Sequence, residues 1–238
     1  MMPYKSKLFQ RNNGGKRRLV STTRYNAMSG GFRAANPKPK VSDRSTQRLE
    51  NKSITVATAV SAVNTAGNVF HLDTIGSGTL ASQRTGQKHQ VTGVHIRGRI
   101  PMDNDASYDE VGYYLVWDRQ PSEIKPGFAD IFQTGTGVNS INAFPNNSNS
   151  ERFIIITRKT RSMTNALVAG NQYNASMQWS IDDYYQFSRK YIATSITGGG
   201  STISDRSSGA LYLVTVGGNT GGGATSMNFD YRLYFNDV

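Results

Sequence analysis

The sequence predicts an all-β protein: an eight-stranded antiparallel jelly-roll sandwich behind a disordered basic N-terminal arm. Three observations predict it. Residues 1–50 hold nearly all of the net charge. From residue 53 onward the chain breaks into eight apolar or alternating runs bounded by Gly, Asn, Ser and Pro clusters. No amphipathic pattern of helical period exceeds about two turns, and no strand–helix alternation suggests a parallel sheet.

The arm comes first. The chain has 238 residues, 27 Lys+Arg and 16 Asp+Glu, for a formal charge of +11. Residues 1–50 hold 12 of the cations and 2 of the acids, a balance of +10, which leaves 15 and 14, or +1, for residues 51–238. The arm has Gly14-Gly15, Gly30-Gly31 and Pro37-Lys38-Pro39-Lys40, few aliphatics and no period of strand or helix. Such a segment cannot bury enough apolar surface to offset its ordering entropy. Its cations are Lys5, Lys7, Arg11, Lys16, Arg17, Arg18, Arg24, Arg33, Lys38, Lys40, Arg44 and Arg48, with Tyr4, Phe9, Tyr25 and Phe32 among them. Cations neutralise phosphates and release counterions, and aromatic faces stack on unpaired bases. The arm is therefore a candidate binder of single-stranded nucleic acid. A merely solubilising tail is the alternative. Lys16-Arg17-Arg18 is a short candidate signal for a nuclear import receptor.

The body, residues 51–238, is read as one domain. Ser53–Val60 alternates in Ile, Val and Thr, and Val69–Ile75 follows a Gly-Asn turn signal. Val94–Ile100 alternates strictly, with Gly98 in place of one inward side chain. Val111–Trp117 and Arg152–Lys159 are more continuously apolar. Asp183–Ile192 is rich in Tyr and Phe, and Ala210–Val216 and Met227–Phe235 close the chain. Gly127–Phe132 is the best short-helix candidate. Long unequal loops at 101–110, 118–150 and 193–209 favour a two-sheet jelly roll over an immunoglobulin-like sandwich.

Signals for chemistry are sparse. With no cysteine there is no disulfide framework, thiolate metal site or cysteine nucleophile. His71, His89 and His95 have no metal-ligand spacing and read as half-exposed strand residues. Asp103, Asp105, Asp109, Glu110, Asp182 and Asp183 read as solvated loop charge rather than a cation site. No G-x-S-x-G elbow or phosphate-binding loop occurs. No enzyme activity, cofactor or metal is predicted. No run approaches the roughly 20 apolar residues of a membrane helix, so no membrane partner is expected. The start, MMPYKSKLFQRNNGGKRR, lacks the apolar stretch of a secretory leader.

Several motifs carry a resemblance. Gln83-Arg84-Thr85-Gly86-Gln87 runs into Val94-His95-Ile96-Arg97-Gly98-Arg99-Ile100, similar to the Q-R-x-G-[KQ] turn and V-x-I-x-G-x-I strand of geminivirus coat proteins. Tyr114–Pro121 resembles their W-L-V-x-D-R-[RQ]-P element. Phe128–Phe132 resembles D-F-x-x-V-F, Arg152-Phe153 the D-R-F start of a central strand, and Phe229–Asp237 the closing I-R-I-Y-F-x-D strand. The matches follow the family's order and, with the arm, span essentially the whole chain. The Cys/His motif of some members is absent, and the arm is less Arg-dense than in many relatives.

The resemblance implies a jelly-roll capsid protein of a small circular single-stranded DNA virus. Such a protein assembles with copies of itself into an icosahedral or twinned icosahedral shell, and is found in the virion and in the host nucleus. On that reading Arg158, Lys159 and Arg161, and separately Arg189 and Lys190, line the inner wall against nucleic acid; exposed pairing with nearby acids is the alternative. A coat protein of a small RNA or satellite virus, or a single-strand-binding protein without a shell, are the competing functions.

Overall fold

The computed structural model describes residues 51–102, 108–135, 140–164, 167–168, 172–173, 178–196, 201–218 and 225–238. The predicted arm with its twelve candidate cations lies outside them.

Each of the eight expected runs holds a strand, although that of Val69–Ile75 ends at His71: β1 (Asn51–Val63), β2 (Asn68–His71), β3 (Lys88–Pro101), β4 (Tyr108–Asp118), β5 (Phe153–Thr164), β8 (Gln178–Ser195), β10 (Ala210–Gly217) and β11 (Thr225–Asp237). Three short strands were not foreseen: β6 (Leu167–Val168), β7 (Gln172–Tyr173) and β9 (Arg206–Ser208). At two or three residues they are too short to show a period. The short helix α1 covers Phe128–Ile131, with the Asp130 carboxylate accepting from the Gly127 amide at 2.8 Å.

The strands form two main antiparallel sheets, ordered β1-β11-β3-β8-β9 and β2-β10-β4-β5, with β6 and β7 as a separate ribbon. Along the eight long strands the chain changes sheet at every step except from β4 to β5. That order is a jelly roll. In an immunoglobulin sandwich the first two strands share a sheet, whereas β1 and β2 are in different ones.

Patterning explains which strands sit where. In β3, Val94, Ile96 and Ile100 are buried while Arg97 and Arg99 are exposed, the mark of a sheet with one covered face. In β4 every residue from Val111 to Asp118 is buried, on both faces, and all eight residues of β10 are buried as well. The reason is a second apolar cluster. Phe128, Ile131, Phe132, Ile141 and Ala143 from the 119–152 connection pack on Tyr114, Val116, Tyr212 and Val214, the faces turned away from the other sheet. The main core lies between the sheets and includes Leu115, Trp117, Leu213, Phe229 and Leu233. The continuous apolar runs of β4 and β10 thus mark strands covered on both sides, whereas the similar run of β5, at the sheet edge, is only partly buried.

Gly98 has a packing reason. A Cβ there would lie 2.5 Å from the Asn228 carbonyl oxygen and 2.7 Å from Phe229 Cβ on β11. Gly98→Val is therefore expected to force the β3–β11 ladder apart. Overpacking of this kind costs about 1–3 kcal/mol, read as a lowered denaturant midpoint at unchanged slope.

Two expectations need correction. His89 is not half-exposed: it lies in β3, fully buried, because an acid and an arginine are buried with it. Asp109, Glu110, Asp182 and Asp183 are not in loops but in β4 and β8, where each strand runs further than its apolar stretch. Asp103 and Asp105 lie outside the described residues.

Candidate nucleic-acid interface

The five body cations expected to face nucleic acid occupy different surroundings. Arg158 and Lys159 are neighbours on β5 and point opposite ways, as the two-residue strand period requires. Arg158 turns toward the 119–152 connection. It donates to the Ile141 carbonyl at 2.9 Å and to the Asn142 side chain, and its guanidinium lies 5.7 Å from the Tyr114 ring centroid. Lys159 crosses to β8, where it pairs with Asp183 and sits 5.7 Å from the Tyr185 ring centroid. The hydrogen bond to Asp183 pushes the Lys159 ammonium pKa up. Tyr113 also donates to Asp183, and burial followed by this bond pushes its phenol far above its ordinary range. Arg161 is exposed opposite Val111.

Arg189 and Lys190 lie in a large bulge of β8. Gln186 pairs with Gly93 and Tyr191 with Val91, so Phe187, Ser188, Arg189 and Lys190 together oppose Thr92 alone. Both cations are exposed there. Arg189 also borders a groove of about 430 Å³ between β5 and β8, with Ile154, Ile156, Tyr185 and Phe187. The arm cations, Lys5 through Arg48, and the import signal Lys16-Arg17-Arg18 fall outside the described residues.

A group of cations that the sequence reading did not single out lies on the exposed face of the five-stranded sheet. Arg97 and Arg99 come from β3 and Arg232 from β11, with His95 and Tyr184 alongside. Strict alternation in β3 was the signal that would have found the first two. Asp182 accepts from His95 Nε2 at 2.6 Å and from Arg97 Nε at 3.1 Å. Those bonds, His95 first, hold the Asp182 carboxyl below the usual carboxylate range.

The motif residues themselves are structural joints. Arg84 of the Q-R-x-G turn is buried, with its backbone amide bonded to the Gly76 carbonyl. Lys52 donates to the Gln83 carbonyl at 3.2 Å and to Thr85 Oγ1 at 3.0 Å, and pairs with Asp237 of the closing strand at 2.8 Å. Asp118 is fully buried and takes a forked pair of bonds from Arg152, at 3.0 and 2.8 Å, which closes the mouth of the 119–152 connection.

Deeper still, Asp73 accepts from His89 Nε2 at 3.0 and 3.1 Å and from Arg206 at 3.0 Å, with all three side chains at 0% exposure. His71 lies close by. Its Nε2 is buried without a hydrogen-bond partner among the described residues. Burial, opposed by Asp73 and assisted by Arg206, lowers its pKa from 6.5 to about 4. The fold therefore favours neutral His71, and stability that is complete above pH 6.5 should fall as the pH drops toward about 4. His71→Phe is expected to flatten that part of a pH–stability profile measured by urea unfolding.

Among the described residues, no cluster of three or more His, Cys, Asp or Glu stands ready to hold a metal. No helix among them is long and apolar enough to cross a membrane.

Comparison with known proteins then places the chain. No curated protein matches it. Three solved structures resemble it distantly. A chain of the full particle of Israeli acute paralysis virus heated to 63 degrees shares 8% identity at a TM-score of 0.35, covering 94% of this chain and 82% of that one. The BFDV capsid protein, crystallised as a 60-mer, shares 9% identity at a TM-score of 0.30, covering 79% and 93%. Desmodium yellow mottle tymovirus shares 9% identity at 0.28, covering 96% of each chain. The family model for geminivirus coat proteins and the nuclear export factor BR1 matches residues 5–238. A match over all but the first four residues decides the matter: the chain belongs to the geminivirus coat protein/nuclear export factor BR1 family.

Proposed function

We propose that this protein is the coat subunit of a small circular single-stranded DNA virus. It self-assembles into an icosahedral or twinned icosahedral shell and packages the genome through residues 1–50. The observation that carries the reading is the family match over residues 5–238 joined to the division of charge, +10 in the arm and +1 in the body. A nearly neutral sandwich suits repeated subunit contacts in a closed assembly, since like copies then repel little. A scattered polycation suits sequence-tolerant, salt-sensitive binding of a flexible polyanion. The role is structural rather than enzymatic. Lys16, Arg17 and Arg18 are proposed to engage a host nuclear import receptor, which places the protein in the host nucleus before the virion forms.

Electron microscopy of the purified protein tests assembly. Uniform particles of about 20 nm or larger, as expected of a closed symmetric shell, support the coat reading. Discrete low-order oligomers support a single-strand-binding protein without a shell. Nucleic acid extracted from the particles is expected to be digested by DNase and to resist RNase. The reverse pattern would assign the protein to an RNA virus.

A further inference from the structure

We propose that the exposed face of the five-stranded sheet is a second nucleic-acid site, within the folded body, where Arg97, Arg99 and Arg232 take phosphates and Tyr184 stacks on an unpaired base. The proposal rests on the packaging function above and adds to it a site that does not involve the arm.

The sheet register sets the spacing. One row across the strands is Arg232, His95 and Tyr184, the next is Asp230, Arg97 and Asp182, and the third is Asn228, Arg99 and Ser180. Arg97 and Arg99 are two residues apart on one strand, so their side chains rise from the same face about 6.7 Å apart. Arg232 is the diagonal neighbour of Arg97, at about 7–8 Å. The three arginines thus follow a short line across the sheet. Between them lie two shallow depressions of about 390 and 290 Å³, which share Arg97 and Asp230 in their lining. Gly98 and Ser180 also line the depression beside Arg99.

The guanidinium groups are held ready for a phosphate. Arg97 bonds Asp182 through Nε, and Arg232 bonds Thr55 Oγ1 through Nε at 2.9 Å. Both bonds steady the stem and leave the two terminal nitrogens of each fork for an anion. Arg99 makes no ion pair among the described residues. Three arginines face two carboxylates, Asp182 and Asp230, so the face is cationic before His95 is counted.

Tyr184 supplies the stacking surface. It is 56% exposed, yet its ring is braced nearly at right angles by His95 at 6.0 Å and by Tyr234 at 5.8 Å. An exposed aromatic that is already ordered gives up little side-chain entropy on stacking. Base-on-aromatic stacking requires an unpaired base, so the ligand is a single strand.

Photochemical cross-linking of the full-length protein to an oligothymidylate carrying 5-iododeoxyuridine tests this, with adducts mapped by mass spectrometry. Adducts are expected on Tyr184 in addition to the arm aromatics Tyr4, Phe9, Tyr25 and Phe32. Arg97→Gln with Arg99→Gln and Arg232→Gln should lower the Tyr184 adduct about tenfold and leave arm adducts unchanged. Arg99→Gln alone, which breaks no ion pair among the described residues, should lower it in the same direction and guards against misfolding of the triple variant. Adducts confined to the arm would overturn the sheet site while leaving packaging by the arm intact. A Tyr184 adduct indifferent to the arginines, or equally strong with duplex DNA, would also overturn it. Absence of adducts anywhere would count against the packaging function itself.

Discussion

Asp73→Ala is expected to destabilise the body by about 3–5 kcal/mol, the usual consequence of removing one member of a buried ion pair. The carboxylate is the hub of three separate segments. It follows β2, receives His89 from β3 and Arg206 from β9, and the Arg206 guanidinium also donates to the Asp73 and Ile75 carbonyls and to Ser195. Without Asp73, two buried donor groups lose their acceptor and Arg206 is left as an uncompensated buried charge. The sign of the pH effect follows from the same geometry. Burial alone would raise the Asp73 pKa, but His89 and Arg206 overcome it and hold the carboxyl below its ordinary 3.8. A depressed pKa in the folded state stabilises above the unfolded value and is lost as the pH falls below it. The wild type should therefore lose stability below about pH 4, and Asp73→Ala should lose less over that interval. Urea unfolding monitored by Trp117 and Trp179 fluorescence measures both; a loss under about 1 kcal/mol, the range of an exposed pair, would contradict the assigned role.

Replacing Lys5, Lys7, Arg11, Lys16, Arg17 and Arg18 with glutamine is the change expected to weaken nucleic-acid binding most. For single strands the slope of log K against log salt falls by about 0.7 per phosphate contact, so removing six contacts should reduce its magnitude by about 4. Affinity should drop at low salt and differ little at high salt, while thermal unfolding of the body stays where it was. A slope unchanged by the six substitutions would mean that these cations do not meet phosphates. Fluorescence anisotropy of a labelled oligonucleotide across a salt series reads the slope directly.

The fold was largely legible because its signals are local. Each of the eight long strands announces itself by alternation or by a short apolar run between turn residues. The double coverage of β4 and β10 is visible as apolar continuity from Val111 to Trp117 and from Ala210 to Val216. What escaped was set by pairing across the sheets. The burial of His89 depends on Asp73 and on Arg206, 117 residues further along, which no spacing rule connects. Lys159 and Arg158 read as adjacent cations, yet strand alternation sends one to Asp183 and the other to Ile141. The bulge that groups Arg189 with Lys190 exists only relative to β3. The family motifs were recognisable as sequence, but their reason is structural: Arg84, Asp118 and Asp237 lock turns and strand ends together.

The most direct measurement is the nuclease-protected DNA per particle, compared between the full-length protein and a chain lacking residues 1–48, at moderate salt. Closed particles are expected from both, filled in the first and nearly empty in the second. Equal protected DNA in the two preparations would contradict packaging by the arm.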